Sequence, residues 1–159
     1  MEPLAQAPTR LAASPLAEGL RGDAWLYPLV ETVHILGFVL LVGAVLVFDL
    51  RVLGFGAALP LRALARHTLP WSLASLLLVV PSGLLLFATQ APDLLANRAF
   101  LLKLGLLATA GLNALAFHLG PWRTAPDSGP APLRARLQAG VSILLWIAVI
   151  ACGRLLAYV

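Results

Sequence analysis

Charged residues are scarce in this sequence of 159 residues. Asp, Glu, Lys and Arg make up 11% of the chain, whereas 60% of it is hydrophobic and its mean hydropathy is +0.92. A soluble domain of this length needs far more charge to cover its surface. The composition therefore excludes an ordinary soluble protein and indicates that lipid is the solvent.

Cysteine and methionine are nearly absent as well. The one cysteine, Cys152, lies inside an apolar run, and the one methionine is Met1. A single cysteine cannot form a disulfide framework or a CxxC metal site within one chain, and copper lacks its soft ligands. The HExxH spacing of metalloproteases and the Gly-rich phosphate loop are also missing from the sequence. We therefore expect an electron-transfer or accessory membrane protein rather than a stand-alone catalyst.

The chain does contain four apolar runs that are long enough to cross a bilayer. A hydrocarbon core about 30 Å thick requires about 20 helical residues at a rise of about 1.5 Å each. Because the connections are short, the sequence predicts an all-α, integral membrane four-helix bundle over residues 25–159, with up-down topology and consecutive helices as antiparallel neighbours. The predicted spans are residues 25–48, 69–88, 99–119 and 137–158.

Residues 1–24 precede the first apolar run and contain three prolines. We expect them to form an extramembrane segment that is either a surface helix or disordered.

Most of the loop arginines belong to one end of the predicted bundle. The positive-inside rule makes their loops cytoplasmic and places both termini outside, which favours a multi-pass protein of the bacterial inner membrane. The net charge of +4 and the pI of about 10.2 then reflect topology and contact with anionic lipid, and nucleic acid is not an expected partner. These arginines are Arg51, Arg62, Arg66, Arg123, Arg134 and Arg136.

The outer half of the predicted bundle holds four ionisable residues: Glu31, His34, Lys103 and Arg154. Such groups at membrane depth are costly unless they are paired or face water. Glu31 and His34 are three residues apart and therefore share one face of the first helix. Two interpretations stay open. Glu31 forms a packing ion pair with Lys103 or Arg154, or the group is a proton or quinone site in which Glu31 and His34 exchange protons or His34 binds a metal.

Two further histidines, His67 and His118, lie near the cytoplasmic ends of the second and third spans. On antiparallel neighbours their imidazoles would lie at similar depth, as the axial ligands of a bis-histidine haem b do. The alternative is that both histidines are solvated at the interface, with nearby Arg and Trp side chains as anchors. The residues that would contact the haem propionates or pack on the ring edge are Arg66, Arg123, Trp71 and Trp122.

Several strings from Trp25 onward resemble a group of small bacterial four-span membrane proteins of unknown function. The resemblance covers nearly the whole chain and implies a four-span fold. More distantly, intramembrane histidines on different helices resemble b-type cytochrome membrane subunits such as the b561-like proteins. This chain has three histidines rather than four, so that resemblance implies at most one ordinary bis-histidine haem. The matching strings are Trp25-Leu26-Tyr27-Pro28, Glu31…His34-Ile35-Leu36-Gly37, Phe48-Asp49-Leu50-Arg51, Ala65-Arg66-His67, Leu69-Pro70-Trp71, Asn113-Ala114, Phe117-His118 and Ala151-Cys152-Gly153-Arg154.

The sequence therefore favours a membrane redox component that binds haem b and passes electrons between quinone and a partner. A cofactor-free scaffold or accessory subunit of a larger membrane complex is the alternative, and a small-solute carrier is a third. Lipid and either further copies of the chain or other membrane subunits are the expected partners.

Overall fold

The computed structural model of the protein describes residues 6–156 and residue 158. The secondary structure of these residues is helical, which confirms the all-α prediction, and four of the helices are long and apolar enough to cross a membrane. The described helices are α1 (Ala7–Ala12), α2 (Pro15–Gly22), α3 (Leu26–Leu53), α4 (Leu61–Thr89), α5 (Ala91–Ala96), α6 (Arg98–Leu119), α7 (Pro121–Thr124) and α8 (Leu133–Leu155). The long helices are α3, α4, α6 (which a short turn joins to α7) and α8.

The long helices extend past the predicted spans at one end of the bundle. Helix α3 continues to Leu53 and ends at Gly54, whose φ of 114° suits glycine, and α4 begins at Leu61 rather than at residue 69. The Asp127 carboxylate accepts a 2.7 Å hydrogen bond from the backbone N–H of Arg62, which satisfies one free donor in the first turn of α4. The extra turns contain charged residues. A prediction from hydropathy leaves such residues out of a span, although they can continue the helix beyond the membrane.

Helix α3 packs against both α4 and α8, and α8 also packs against α6. In the described chain, however, no Cα atom of α4 lies within 8 Å of one in α6. The expectation that consecutive spans are neighbours is therefore confirmed for the first pair and the last pair. The second and third spans keep their backbones farther apart, and the stacked rings of Phe87 on α4 and Phe100 on α6, with centroids 5.7 Å apart, form a contact between them. The short helix α5 lies in the connection between these two spans.

The α3–α4 contact is close because Gly37 has no side chain. A Cβ atom built on Gly37 would lie 2.8 Å from the Cβ of Leu78 and 3.2 Å from the backbone nitrogen of Val79. Small residues of this kind let membrane helices approach closely, so that dispersion contacts form along both backbones. Gly37 therefore sets the distance between the first two spans.

Near the C-terminal end of α3, three aromatic rings pack together and join parts of the bundle. Phe48 makes edge-to-face contacts with Phe117 and with Trp122, at centroid distances of 5.7 and 5.8 Å. The guanidinium of Arg62 lies over the Trp122 ring at 5.2 Å. These contacts join α3, the α6–α7 turn and the start of α4.

The N-terminal helices α1 and α2 lie against one end of the long helices. The Arg21 guanidinium donates to the backbone oxygens of Thr89 and Ala12, at 2.8 and 2.5 Å. Just after α2, the Asp23 carboxylate accepts the N–H groups of Trp25 and Leu26, and these hydrogen bonds lower the pKa of Asp23 below its ordinary value of 3.8. Asp23 thereby caps the start of α3. Residues 1–5 of the predicted N-terminal segment lie outside the described residues.

Candidate functional site

A cavity of about 1220 Å³ lies between the four long helices. All four contribute lining residues. The Cα atoms of α4 and α6 stay more than 8 Å apart, and the stacked rings of Phe87 on α4 and Phe100 on α6, with centroids 5.7 Å apart, join the two helices at the Glu31 side of the cavity. Ligand sites in helix bundles are commonly built from side chains on facing helices in this way. The cavity is therefore the candidate functional site.

The walls of the cavity are mostly apolar and aromatic, and its polar side chains gather toward two ends. Phe38 of α3 and Trp146 of α8 form an edge-to-face pair on the wall, with ring centroids 5.9 Å apart. The Glu31 end is defined by Tyr27, Glu31, His34, Gln90 and Lys103. The Asp49 end is defined by Asp49, Ser72, Asn113, His118, Gln138 and Ser142.

At the Glu31 end, His34 connects α3 to α4. Its Nδ1 lies 3.1 Å from the backbone oxygen of Val79 and 3.0 Å from the Ser82 hydroxyl, which itself donates to the backbone oxygen of Leu78. A carbonyl only accepts, so a neutral His34 carries its proton on Nδ1 and presents Nε2 as an acceptor. The imidazole fits there because Gly83 has no Cβ: one built on it would lie 3.0 Å from His34 Cε1.

The basic groups predicted to surround Glu31 occupy different surroundings. Lys103 is partly buried and lines the cavity together with Glu31 and His34. Arg154 instead places its guanidinium 5.0 Å from the centroid of the Tyr158 ring and donates to the Tyr158 hydroxyl at 2.6 Å. The predicted ion pairs of Glu31 with Lys103 or Arg154 are not among the contacts of the described residues. The structure thus gathers Glu31, His34 and Lys103 in one cavity and leaves Arg154 outside its lining.

The residues predicted to hold haem are separated by the fold. His118 lines the cavity, and its Nδ1 lies 2.8 Å from the backbone oxygen of Ala114, which leaves Nε2 as an acceptor. His67 is exposed on α4 and is not among the described residues that line the cavity. The two histidines therefore lie in different surroundings, and a bis-histidine haem between them stays a prediction.

The other predicted haem contacts divide in the same way. Trp122 packs beside His118, with ring centroids 6.2 Å apart. Trp71 is 61% exposed, and Arg66 and Arg123 are exposed as well. Among the described residues, no group of three or more His, Cys, Asp or Glu side chains is placed to hold a metal ion.

Two residues at the Asp49 end, Gln138 and Ser142, were not among the site residues predicted from the sequence. They are four residues apart on α8 and therefore share a helix face, which is the pattern that could have revealed them. Ser142 lines the cavity beside the Asp49 carboxylate, and the backbone oxygen of Gln138 accepts a 3.0 Å hydrogen bond from the side chain of Asn113. The side-chain oxygen of Gln138 and Oδ2 of Asp49 are buried without a hydrogen-bond partner among the described residues.

Four long apolar helices around an internal cavity define a multi-pass membrane protein of the four-helix class. Residues 24–159 match the model of a family of unknown function, DUF6644, and the chain belongs to that family. No curated protein and no solved structure matches the chain.

Proposed function

We propose that this protein is a membrane redox component that binds the head group of a lipid-soluble quinone at the Glu31 end of the central cavity. The observation that carries the proposal is the cavity itself. It combines apolar, aromatic walls with a small group of polar side chains at membrane depth. A quinone has the same division between an apolar body and polar oxygens, and it reaches its sites from within the lipid.

The polar groups at the Glu31 end match the chemistry of a quinone head. The ammonium of Lys103 donates to a quinone carbonyl, and Nε2 of His34, with its proton fixed on Nδ1, accepts from a quinol hydroxyl. Glu31 lies one turn from His34 on α3 and provides a second proton-accepting group. Phe38 and Trp146 supply flat surfaces for the ring.

Quenching of Trp146 fluorescence by a short-chain quinone tests this proposal. In purified protein we expect saturable quenching, and we expect Trp146→Phe to remove the saturable part. Lys103→Met is expected to weaken binding about tenfold or more, because it removes a charged donor in an apolar cavity. Arg154→Met is the matched control, since it removes a cation at the same end of the bundle but outside the cavity lining.

Two results would contradict the quinone proposal. One is quenching that rises linearly with quinone concentration, as partition into detergent does. The other is equal loss of binding in Lys103→Met and Arg154→Met. Either would favour the cofactor-free scaffold.

Haem b binding is a second prediction for the same redox class, and His118 is the residue that favours it, because its Nε2 is an acceptor and it lines the cavity. Protein produced with ample haem is expected to show a reduced b-type absorption spectrum. Loss of that spectrum in His118→Ala but not in His67→Ala is the expected pattern, since His67 is exposed on α4. A colourless wild-type protein would contradict the prediction and would leave the quinone proposal standing.

A further inference from the structure

Asp49 lies near the C-terminal end of α3 and carries a buried carboxylate with an unsatisfied oxygen. Its side chain is 6% exposed, and it lines the central cavity. Ser142 lies beside the carboxylate, and Oδ2 is buried with no hydrogen-bond partner among the described residues. Buried carboxylate oxygens are normally paired or hydrogen-bonded, and a charged one in a membrane interior needs a positive partner. Within the described residues, Asp49 Oδ2 therefore lacks the partner that a buried carboxylate oxygen normally has.

The nearby basic residue does not supply that partner. Arg51 is two residues away, but its guanidinium donates to the backbone oxygens of Leu59 and Ala57 in the following loop, at 2.6 and 3.3 Å. The charged residues that line the cavity are Glu31, Asp49 and Lys103, so the described lining holds two carboxylates and one ammonium. The cavity thus has a negative charge in excess.

Lys103 is too far away to neutralise Asp49. It shares the Glu31 end with His34, and fifteen residues of α3 separate His34 from Asp49, a length of about 22 Å along the helix. The unmatched negative charge is therefore located at the Asp49 end.

The neighbouring groups at this end are hydrogen-bond acceptors and aromatic rings. The side-chain oxygen of Gln138 is also buried without a partner among the described residues, and Gln138 lies one turn from Ser142 on α8. Phe48 and Phe117 line the same part of the cavity as an edge-to-face pair. Aromatic faces attract organic cations. A hard metal ion takes about six oxygen ligands, whereas Asp49, Gln138 and Ser142 provide four side-chain oxygens at most, so this set favours an organic cation.

We propose that the Asp49 end of the central cavity is a binding site for a lipophilic organic cation, whose charge pairs with Asp49 and whose apolar body occupies the aromatic cavity. The cavity volume of about 1220 Å³ accommodates such a body. This site is distinct from the proposed quinone site and does not depend on it.

Tetraphenylphosphonium is a suitable probe, and triphenylphosphine oxide is a neutral analogue with similar aromatic rings. Cys152 is the one cysteine and is buried, so its reaction with a fluorogenic thiol reagent on heating reports unfolding. In full-length detergent-purified protein we expect tetraphenylphosphonium, but not the neutral analogue, to raise the unfolding midpoint. Asp49→Asn is expected to weaken binding of the cation at least about tenfold, because it removes the charge that pairs with the ligand. Asp93→Asn, the same change at an exposed position outside the lining, is expected to bind as the wild type does.

Three outcomes would overturn the proposal. The first is equal stabilisation by the cation and the neutral analogue in the wild-type protein, a comparison that does not require any variant to fold. The second is undiminished cation binding by Asp49→Asn. The third is stabilisation by sodium ions and by no organic cation, which would assign the carboxylate to a metal ion. Because Asp49 and Lys103 are replaced separately, failure of this proposal is distinguishable from failure of the quinone proposal.

Discussion

Gly37→Ala is expected to destabilise the protein, although the change adds one methyl group to a transmembrane helix. The new Cβ would lie 2.8 Å from Leu78 Cβ and 3.2 Å from the backbone nitrogen of Val79. The backbone atom cannot move without shifting α4, so α3 and α4 must separate. Overpacking of this kind typically costs about 1–3 kcal/mol. The free energy of unfolding, measured through exposure of the Cys152 thiol in denaturant, is the quantity to compare.

Gly43 provides the matched control for Gly37 on the same helix. A Cβ built on Gly43 meets nothing within 4 Å in the described structure, so Gly43→Ala is expected to leave the free energy of unfolding unchanged or slightly higher. Equal effects of the two substitutions would show that the α3–α4 contact at Gly37 is not as close as described.

Arg51→Met is the second substitution with a large expected effect. Arg51 is 2% exposed, and its two hydrogen bonds hold the loop after α3 to the end of that helix. Methionine has a similar stem but cannot donate, so the carbonyls of Leu59 and Ala57 lose a charged partner. Because hydrogen bonds to charged groups contribute about 1.5–3 kcal/mol each, a loss of about 3 kcal/mol is expected in the free energy of unfolding.

Arg51→Lys and Arg66→Met complete the comparison. Lysine keeps the charge and can reach one carbonyl but not both, so it is expected to recover part of the loss. Arg66 is exposed at the same end of the bundle, and its replacement is expected to change the free energy of unfolding by less than about 0.5 kcal/mol. A change in Arg51→Met as small as that in Arg66→Met would contradict the described role of Arg51.

The four spans were predictable from the sequence because lipid demands long apolar helices, and the runs are unambiguous. The order of the helices in the bundle was not. Short connections predict closely packed neighbouring helices, but residues 91–96 form the helix α5, and α4 and α6 meet through the rings of Phe87 and Phe100 while their Cα atoms stay more than 8 Å apart. That helix contains a proline and an aspartate and reads as a loop in the sequence. The cavity depends on the distance between α4 and α6, which the composition of the chain does not predict.

The candidate site was predictable in part. Glu31, His34 and Lys103 stood out because ionisable residues at membrane depth are rare. The position of His34 depends on Gly83, which offers no side chain opposite the imidazole, and such a contact across two helices leaves no local pattern. The pairing of His67 with His118 stays a prediction: His67 is exposed on α4, whereas His118 lines the cavity.

Photo-crosslinking with an azido-quinone tests the central claim, that the interior of the bundle is a ligand site for a lipid-soluble molecule. Purified protein in lipid nanodiscs would be illuminated with the probe and its modified peptides identified by mass spectrometry. The structure predicts crosslinks to lining residues such as Phe38, Lys103 and Trp146, and predicts that excess unmodified quinone prevents them. Crosslinks confined to lipid-facing residues such as Leu77 or Leu144, unaffected by excess quinone, would contradict the claim.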